Sequence, residues 1–244
     1  YIPAWNTSKI DPVTGFVNLF DTQYKSDDKA KMFFSKFKSI SYNKDKNWFE
    51  FSFDYNDFTN KAEGTKTQWT VCTNGERIEN FRSGQKPNQW DGRTINLSQK
   101  FKSLFDEYGI DFTKDLQNSI CSQSKKGFFK QLLHLFKLTV QMRNSNTETE
   151  EEKGKKDFII SPVCVDDKYY NSDIEAEKGK DEEGNWKSEL PVNADANGAY
   201  NIARKGLMIL NHIKQSSDPS KKQEYDLTNK AWLNFVQKGS VEGK

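Results

Sequence analysis

At 244 residues the chain can bury a core without disulfides or metals, as one large domain or two modest ones. A net charge of +2, from 37 basic and 35 acidic residues, excludes the strongly basic footprint of a stand-alone nucleic-acid binder, so any contact with DNA falls to a local patch. The 14% aromatic content excludes a disordered chain, while a 34% apolar share and a mean hydropathy of -0.92 suit a module that packs against other protein or nucleic acid. Cys72, Cys121 and Cys164 lie far apart in sequence, and His134 and His212 fall in helical patterns. Neither a zinc site nor a disulfide framework is expected, and a reducing cytoplasm is the natural compartment. No apolar run approaches the roughly 18 residues that span a membrane. The chain starts at Tyr1 in what reads as mid-domain sequence, which leads us to expect a fragment of a larger protein.

Pro3, Asp11-Pro12 and Gly15 punctuate an extended opening and turn. Thr7, Ser8 and Lys9 offer two hydroxyls and an ammonium, either to a phosphate or to solvent around a capped turn. Apolar spacing predicts a helix over Asp28–Phe37, then strands over Ser39–Tyr42 and Trp48–Tyr55. In the second strand Phe49, Phe51 and Phe53 alternate with polar residues, a row that suits core packing or base stacking. Asn74-Gly75 predicts a hairpin joining Lys66–Thr73 to Arg77–Arg82. The segment Ser83–Asn96 reads as a polar loop whose Lys86, Trp90 and Arg93 either grip DNA or stay solvated.

Ser98 is placed as the cap of a helix bearing Phe101, Leu104 and Phe105, ended by Gly109, and Asp115–Ser122 forms a second. Lys126–Asn144 reads as the longest helix, with Phe129, Leu132, Phe136, Val140 and Met142 making it a core element. Arg143 near its end has two readings: a cation offsetting the helix dipole, or a guanidinium fork aimed at a phosphate, followed by Asn144 and Ser145. A glutamate-rich loop over 146–156 precedes Asp157, which opens a strand over Phe158–Val165. After a polar segment, Pro191–Gly206 opens a helix whose Ala199, Ile202, Ala203, Leu207, Leu210 and Ile213 form one apolar stripe expected to be buried. Asp195 at its mouth is either a cap or an ionised, uncrowded oxygen ligand for a hard cation. Thr228 caps a last helix with Trp232, Phe235 and Val236 inward.

The string Asn-Ala-Asp-Ala-Asn-Gly-Ala-Tyr-Asn-Ile-Ala at 193–203 resembles the third conserved segment of RuvC-type nucleases, and most closely that of type V-A CRISPR effectors, RNA-guided DNA endonucleases. Segments 5–18, 138–145 and 157–163 resemble further parts of that family in the same order, so the likeness spans the chain. It implies an α+β fold of mixed helices and antiparallel strands over 1–190, the Nuc lobe. Residues 191–244 would be C-terminal helices belonging to a RuvC/RNase H-like α/β domain. It also implies that Asp195 is a metal-binding catalytic carboxylate, that Arg143 and Asp157 serve cleavage, and that Mg2+, with Mn2+ as a substitute, is the cofactor. The other RuvC carboxylates are absent from this sequence, so the chain alone is expected to be inactive. The implied partners are target and non-target DNA strands, and guide RNA through the rest of the parent. A monomer in the bacterial cytoplasm, without membrane contact, is expected. In compact transposon-encoded relatives the first turn resembles a zinc-ribbon knuckle; here Asp11 and Gly15 stand where ligand cysteines would be. A non-catalytic module that binds single-stranded DNA through Lys9, Lys86, Trp90 and Arg93 is the alternative function, and a protein-interaction scaffold the third.

Overall fold

Strict alternation of aromatic and polar residues builds the central sheet. The computed structural model describes residues 4–62, 66–82, 90–146, 156–215 and 228–239. Strands β1 (Ser39–Asn43), β2 (Trp48–Asp54) and β3 (Gln68–Cys72) form an antiparallel meander in which Phe51 stands opposite Ile40 and Val71. The inward row Phe49, Phe51 and Phe53 is fully buried, so these rings pack rather than stack on bases. Helix α1 (Asp27–Ser35) begins where the Ser26 hydroxyl accepts from Lys29 N, and it turns Ala30 and Phe34 inward. Asn96, rather than Ser98, caps α2 (Leu97–Tyr108); Ser98 is buried and donates to the Thr73 carbonyl. Asp115 caps α3 (Leu116–Ser122), and α4 (Phe128–Thr139) completes the core. Phe136 on α4 meets Phe37 and Phe51 at ring-centroid distances of 5.1 and 5.2 Å.

The chain is thus a mixed α+β protein with small antiparallel sheets, as expected, but several local expectations change. The segment about Asn74-Gly75 is no hairpin, because β3 pairs with β2 while β4 (Glu76–Phe81) pairs with β5 (Asp91–Asn96). The turn serves instead to change sheets. Asn74 Nδ2 donates to the Ser161 carbonyl at 2.9 Å, and Gly75, at φ +64, lies so close to Ile160 Cδ1 that an added Cβ would clash with it. The second half of the expected polar loop is therefore strand β5.

The expected long helix stops at Thr139, and Arg143 opens β6 (Arg143–Asn146), paired with β7 (Lys156–Ile159). Val140, Met142 and Asn144 are buried while Gln141, Arg143 and Ser145 are half-buried, so the period shifts from helical to two at this point. The expected strand over Phe158–Val165 ends early, followed by a short α5 (Ser172–Glu177) that the polar sequence did not announce.

Helices α6 (Ala194–Gln215) and α7 (Asn229–Gly239) close on the start of the chain, where Ile10, Val17, Met208, Trp232, Leu233 and Val236 share a second core. Gly15, at φ +72, lets the first turn pass Val236, whose carbonyl carbon would lie 3.1 Å from an added Cβ. Helix α6 faces inward with Asn197, Asn201, Lys205 and Met208, not with the expected stripe. Ile202, Leu207 and Leu210 of that stripe are 38%, 54% and 51% exposed. The reason is a hydrogen-bonded seam. Asn197 Nδ2 donates to the Ile10 carbonyl, Asn201 Nδ2 to the Thr7 carbonyl (both 3.0 Å) and Lys205 Nζ to the Trp5 carbonyl (3.2 Å). These satisfy backbone oxygens that would otherwise be buried without a partner. Among the described residues no helix is long and apolar enough to cross a membrane.

Candidate active site

The β6–β7 pair and the start of α6 bring three charged side chains to one place. In the antiparallel register Arg143 stands opposite Ile159 and Ser145 opposite Asp157, so Arg143 and Asp157 are diagonal neighbours on one face. Asn144 and Phe158, on the other face, are buried beneath them. The Arg143 guanidinium closes a two-pronged contact on Asp157: Nε donates to Oδ1 at 3.1 Å and Nη2 to Oδ2 at 2.5 Å. The same Nη2 reaches Asp195 Oδ1 at 3.4 Å, across to the first turn of α6. Hydrogen bonding to Asp157 holds the Arg143 pKa above its ordinary value, outweighing the cost of partial burial.

Exposure separates the two carboxylates. The Asp157 side chain is 15% exposed, with both oxygens engaged by Arg143, whereas that of Asp195 is 88% exposed. Asp195 is not the helix cap, since Asn193 Oδ1 accepts from Ala196 N at 2.7 Å. Arg143 does not offset a helix dipole either, because α4 ends four residues earlier. Both side chains are left for work at the surface.

Beside Arg143 lies a groove of about 450 Å³ lined by Asn6, Lys9, Asn18, Lys137 and Ser145. Lys9 and Lys137 are exposed and make no ion pair among the described residues, so a polar trough carries two open ammonium groups next to the guanidinium. That composition suits an anionic, extended ligand. The groove explains Lys137, which the sequence reading passed over as part of a helix; a lysine on the last turn of an apolar helix was the available signal.

The other expected contacts are distributed differently. Thr7 is buried and donates from Oγ1 to the Ala4 carbonyl, while Ser8 lies against Gly198 of α6, where an added Cβ would meet its own Cβ at 3.7 Å. Asn144 is fully buried, its Oδ1 accepting from Ile78 N and its Nδ2 donating to the Met142 carbonyl, so this side chain ties β4 to β6 and meets no solvent. Arg93 donates to Glu79 at 2.6 Å, and Trp90, 54% exposed, carries Arg82 over its ring at 5.1 Å. They sit on the β4–β5 pair and not at the Arg143 groove. Lys86 lies outside the described residues.

A family model described as a nuclease domain matches residues 10–174. The chain belongs to this nuclease-domain family. The match includes Arg143, Asp157, Lys9's neighbour Ile10 and the groove residues Asn18 and Lys137; Asp195 follows it. Membership carries nucleic-acid cleavage as the activity of the family and nucleic acid as the ligand of the nuclease domain.

A divalent metal would find few ligands here. Asp195 offers an exposed carboxylate, but both Asp157 oxygens belong to Arg143, and among the described residues no three His, Cys, Asp or Glu side chains converge. These residues by themselves do not fit a two-ion centre, in which each ion needs anionic ligands.

Proposed function

We propose that this chain is the Nuc lobe and third RuvC segment of an RNA-guided DNA endonuclease of the type V-A CRISPR class. In this reading it positions target and non-target DNA strands for phosphodiester hydrolysis. The observation that carries the reading is the convergence of the paired-strand residues Arg143 and Asp157 with Asp195, 52 positions from Arg143, three residues whose roles the family resemblance implies. Asp195 contributes one carboxylate to a centre completed by acidic segments of the parent polypeptide. Were Mg2+ held there by Asp195 together with those segments, it would supply Lewis-acid activation of water and of the leaving oxygen.

The work of this chain's own residues follows from the geometry. Asp157 holds Arg143 in one orientation, and the guanidinium offers its remaining N–H donors to a phosphate oxygen, a match that an ammonium cannot copy. Lys9 and Lys137 draw the neighbouring phosphates along the groove. The bare apolar stripe on α6, around Leu207 and Leu210, supports the assignment of this helix to a larger α/β domain.

The test uses Arg143→Lys in the complete nuclease, which keeps the charge beside Asp157 but loses the fork. Cleavage should fall on the order of 100-fold with the melting midpoint close to wild type. Full cleavage by the lysine variant would overturn the role given to Arg143. The isolated chain in Mg2+ should leave DNA intact; cleavage abolished by Asp195→Ala would defeat the idea of a divided carboxylate set. Salt-sensitive binding of single-stranded DNA, with Arg143 immaterial to cleavage, would point to the non-catalytic binding module instead.

A further inference from the structure

The exposed side of α4 carries one stripe. Lys130, His134 and Lys137 stand at i, i+4 and i+7 and share a face, while Phe129, Leu132, Leu133 and Phe136 turn into the core. Lys137 lies in the Arg143 groove. Lys130 and His134 line a separate cleft of about 590 Å³, together with Arg93, Lys100 and Glu107. Strand β4 borders both: alternation puts Asn80 at the Arg143 groove and Glu79 in the cleft, with Phe81 on the same face as Glu79.

The charges of the cleft favour an anion. Glu79, opposite Arg93 in the strand register, has both oxygens engaged within the protein. Its Oε1 meets His134 Nε2 at 2.6 Å, and its Oε2 accepts from Arg93 Nε at 2.6 Å. Lys100 and Lys130 are exposed and make no ion pair among the described residues, so Glu107 is the one remaining acid in the lining that opposes them. Past Arg93 the β4–β5 ribbon presents aromatic faces. The Arg93 guanidinium lies over the Phe81 ring at 5.2 Å, and Arg82 lies over the exposed Trp90 ring at 5.1 Å. Open rings, each beside a guanidinium, offer stacking faces to bases and cations to the phosphates between them. Bases already paired keep their faces inside the duplex, so this chemistry selects a single strand.

We propose that a single strand of DNA leaving the Arg143 groove runs along the exposed face of α4 and lays unpaired bases on Trp90 and Phe81. This rests on nucleic acid being the ligand of that groove, as proposed above, and gives the strand a path. Lys137 and Lys130 take successive phosphates, and Arg93, held by Glu79, marks the passage from helix to ribbon.

The experiment reads binding and not cleavage, in EDTA. Full cleavage by Arg143→Lys in the complete nuclease would therefore defeat the catalytic reading and leave these results standing. The probe is a fluorescein-labelled oligothymidylate of about 20 nucleotides. Trp90→Ala, at an exposed position, should weaken binding roughly tenfold with the melting midpoint unchanged. Lys130→Gln and Lys137→Gln should each lower the slope of log affinity against log salt by about 0.7. Lys31→Gln, on the exposed side of α1, is the control and should leave affinity as it is. In the double variant Trp90→Ala/Arg143→Ala the two losses should multiply, because one strand touches both places. With 5-iodouracil in the probe, photocrosslinks should map to Trp90 or Phe81. Binding indifferent to Trp90, losses that do not multiply, crosslinks confined to other residues, or a Lys31→Gln loss equal to that of Lys130→Gln would overturn the proposal. So would a duplex of the same length that competes as well as the single strand.

Discussion

The protein is held together in two unlike ways. Around Phe136 the helices and the three-stranded sheet close on interlocking aromatic rings, whereas α6 is tied to the first turn of the chain by asparagine and lysine donors on backbone carbonyls. The first contact is non-directional and tolerates small shifts; the second fixes one position, because a misplaced donor leaves a buried carbonyl unpaired. The candidate site straddles the two regions. Arg143 and Asp157 stand on strands over the apolar core, and Asp195 stands on the helix held by the polar seam. An arrangement whose members come from different regions depends on directional contacts for its distance, here 3.4 Å between Arg143 and Asp195.

The largest effect expected from breaking this contrast is Phe136→Ala. The ring is fully buried among Phe20, Phe33, Phe34, Phe37 and Phe51, so its removal should cost about 3–5 kcal/mol in chemical denaturation. A loss below about 1 kcal/mol would mean that the cluster collapses around the gap and is less tightly packed than its geometry indicates. Asn201→Ala should cost less, about 1–3 kcal/mol, by leaving the Thr7 carbonyl without its donor at 3.0 Å. Its signature is local: amide exchange should quicken in the first turn and the start of α6, while the sheet around Phe51 keeps its protection. Equal loosening of both regions would erase the distinction.

The same division explains what could be read from the sequence. Period-two aromatics at Phe49, Phe51 and Phe53 and the apolar spacing within Asp28–Phe37 carry their burial in their pattern, so β2 and α1 were legible. The inward face of α6 was not, because Asn197 and Asn201 find carbonyls 187 and 194 positions away, and no periodicity encodes a long-range hydrogen bond. The apolar stripe beside them then drew the wrong conclusion about which side is inside. At Val140–Ser145 a two-residue alternation hid within an apolar helix pattern, moving Arg143 from a helix end to a strand. The candidate site residues were named by resemblance, and their mutual contact follows from the pairing of β6 with β7.

The smallest and most selective test uses pH, at the point where the polar seam meets the core. Asp11 is fully buried, with Oδ1 accepting from Val13 N at 2.9 Å and Oδ2 from the Thr14 and Ser161 hydroxyls at 2.5 and 2.8 Å. Burial raises its pKa above 3.8 more strongly than these donors lower it. The folded state therefore holds this proton longer than the unfolded chain does. The resulting stability is complete below pH 3.8 and is lost as pH climbs through the raised folded value. Asp21, Glu79 and Asp111 are shifted downward and contribute the opposite slope, so total stability against pH does not isolate Asp11. The difference between wild type and Asp11→Asn does, because the amide cannot ionise and its altered hydrogen bonding adds only a constant offset. That difference should move in favour of Asp11→Asn as pH rises from 3.8 toward neutrality. A difference that stays flat with pH would mean that water reaches Asp11 and that the seam is wetter than the apolar core it borders.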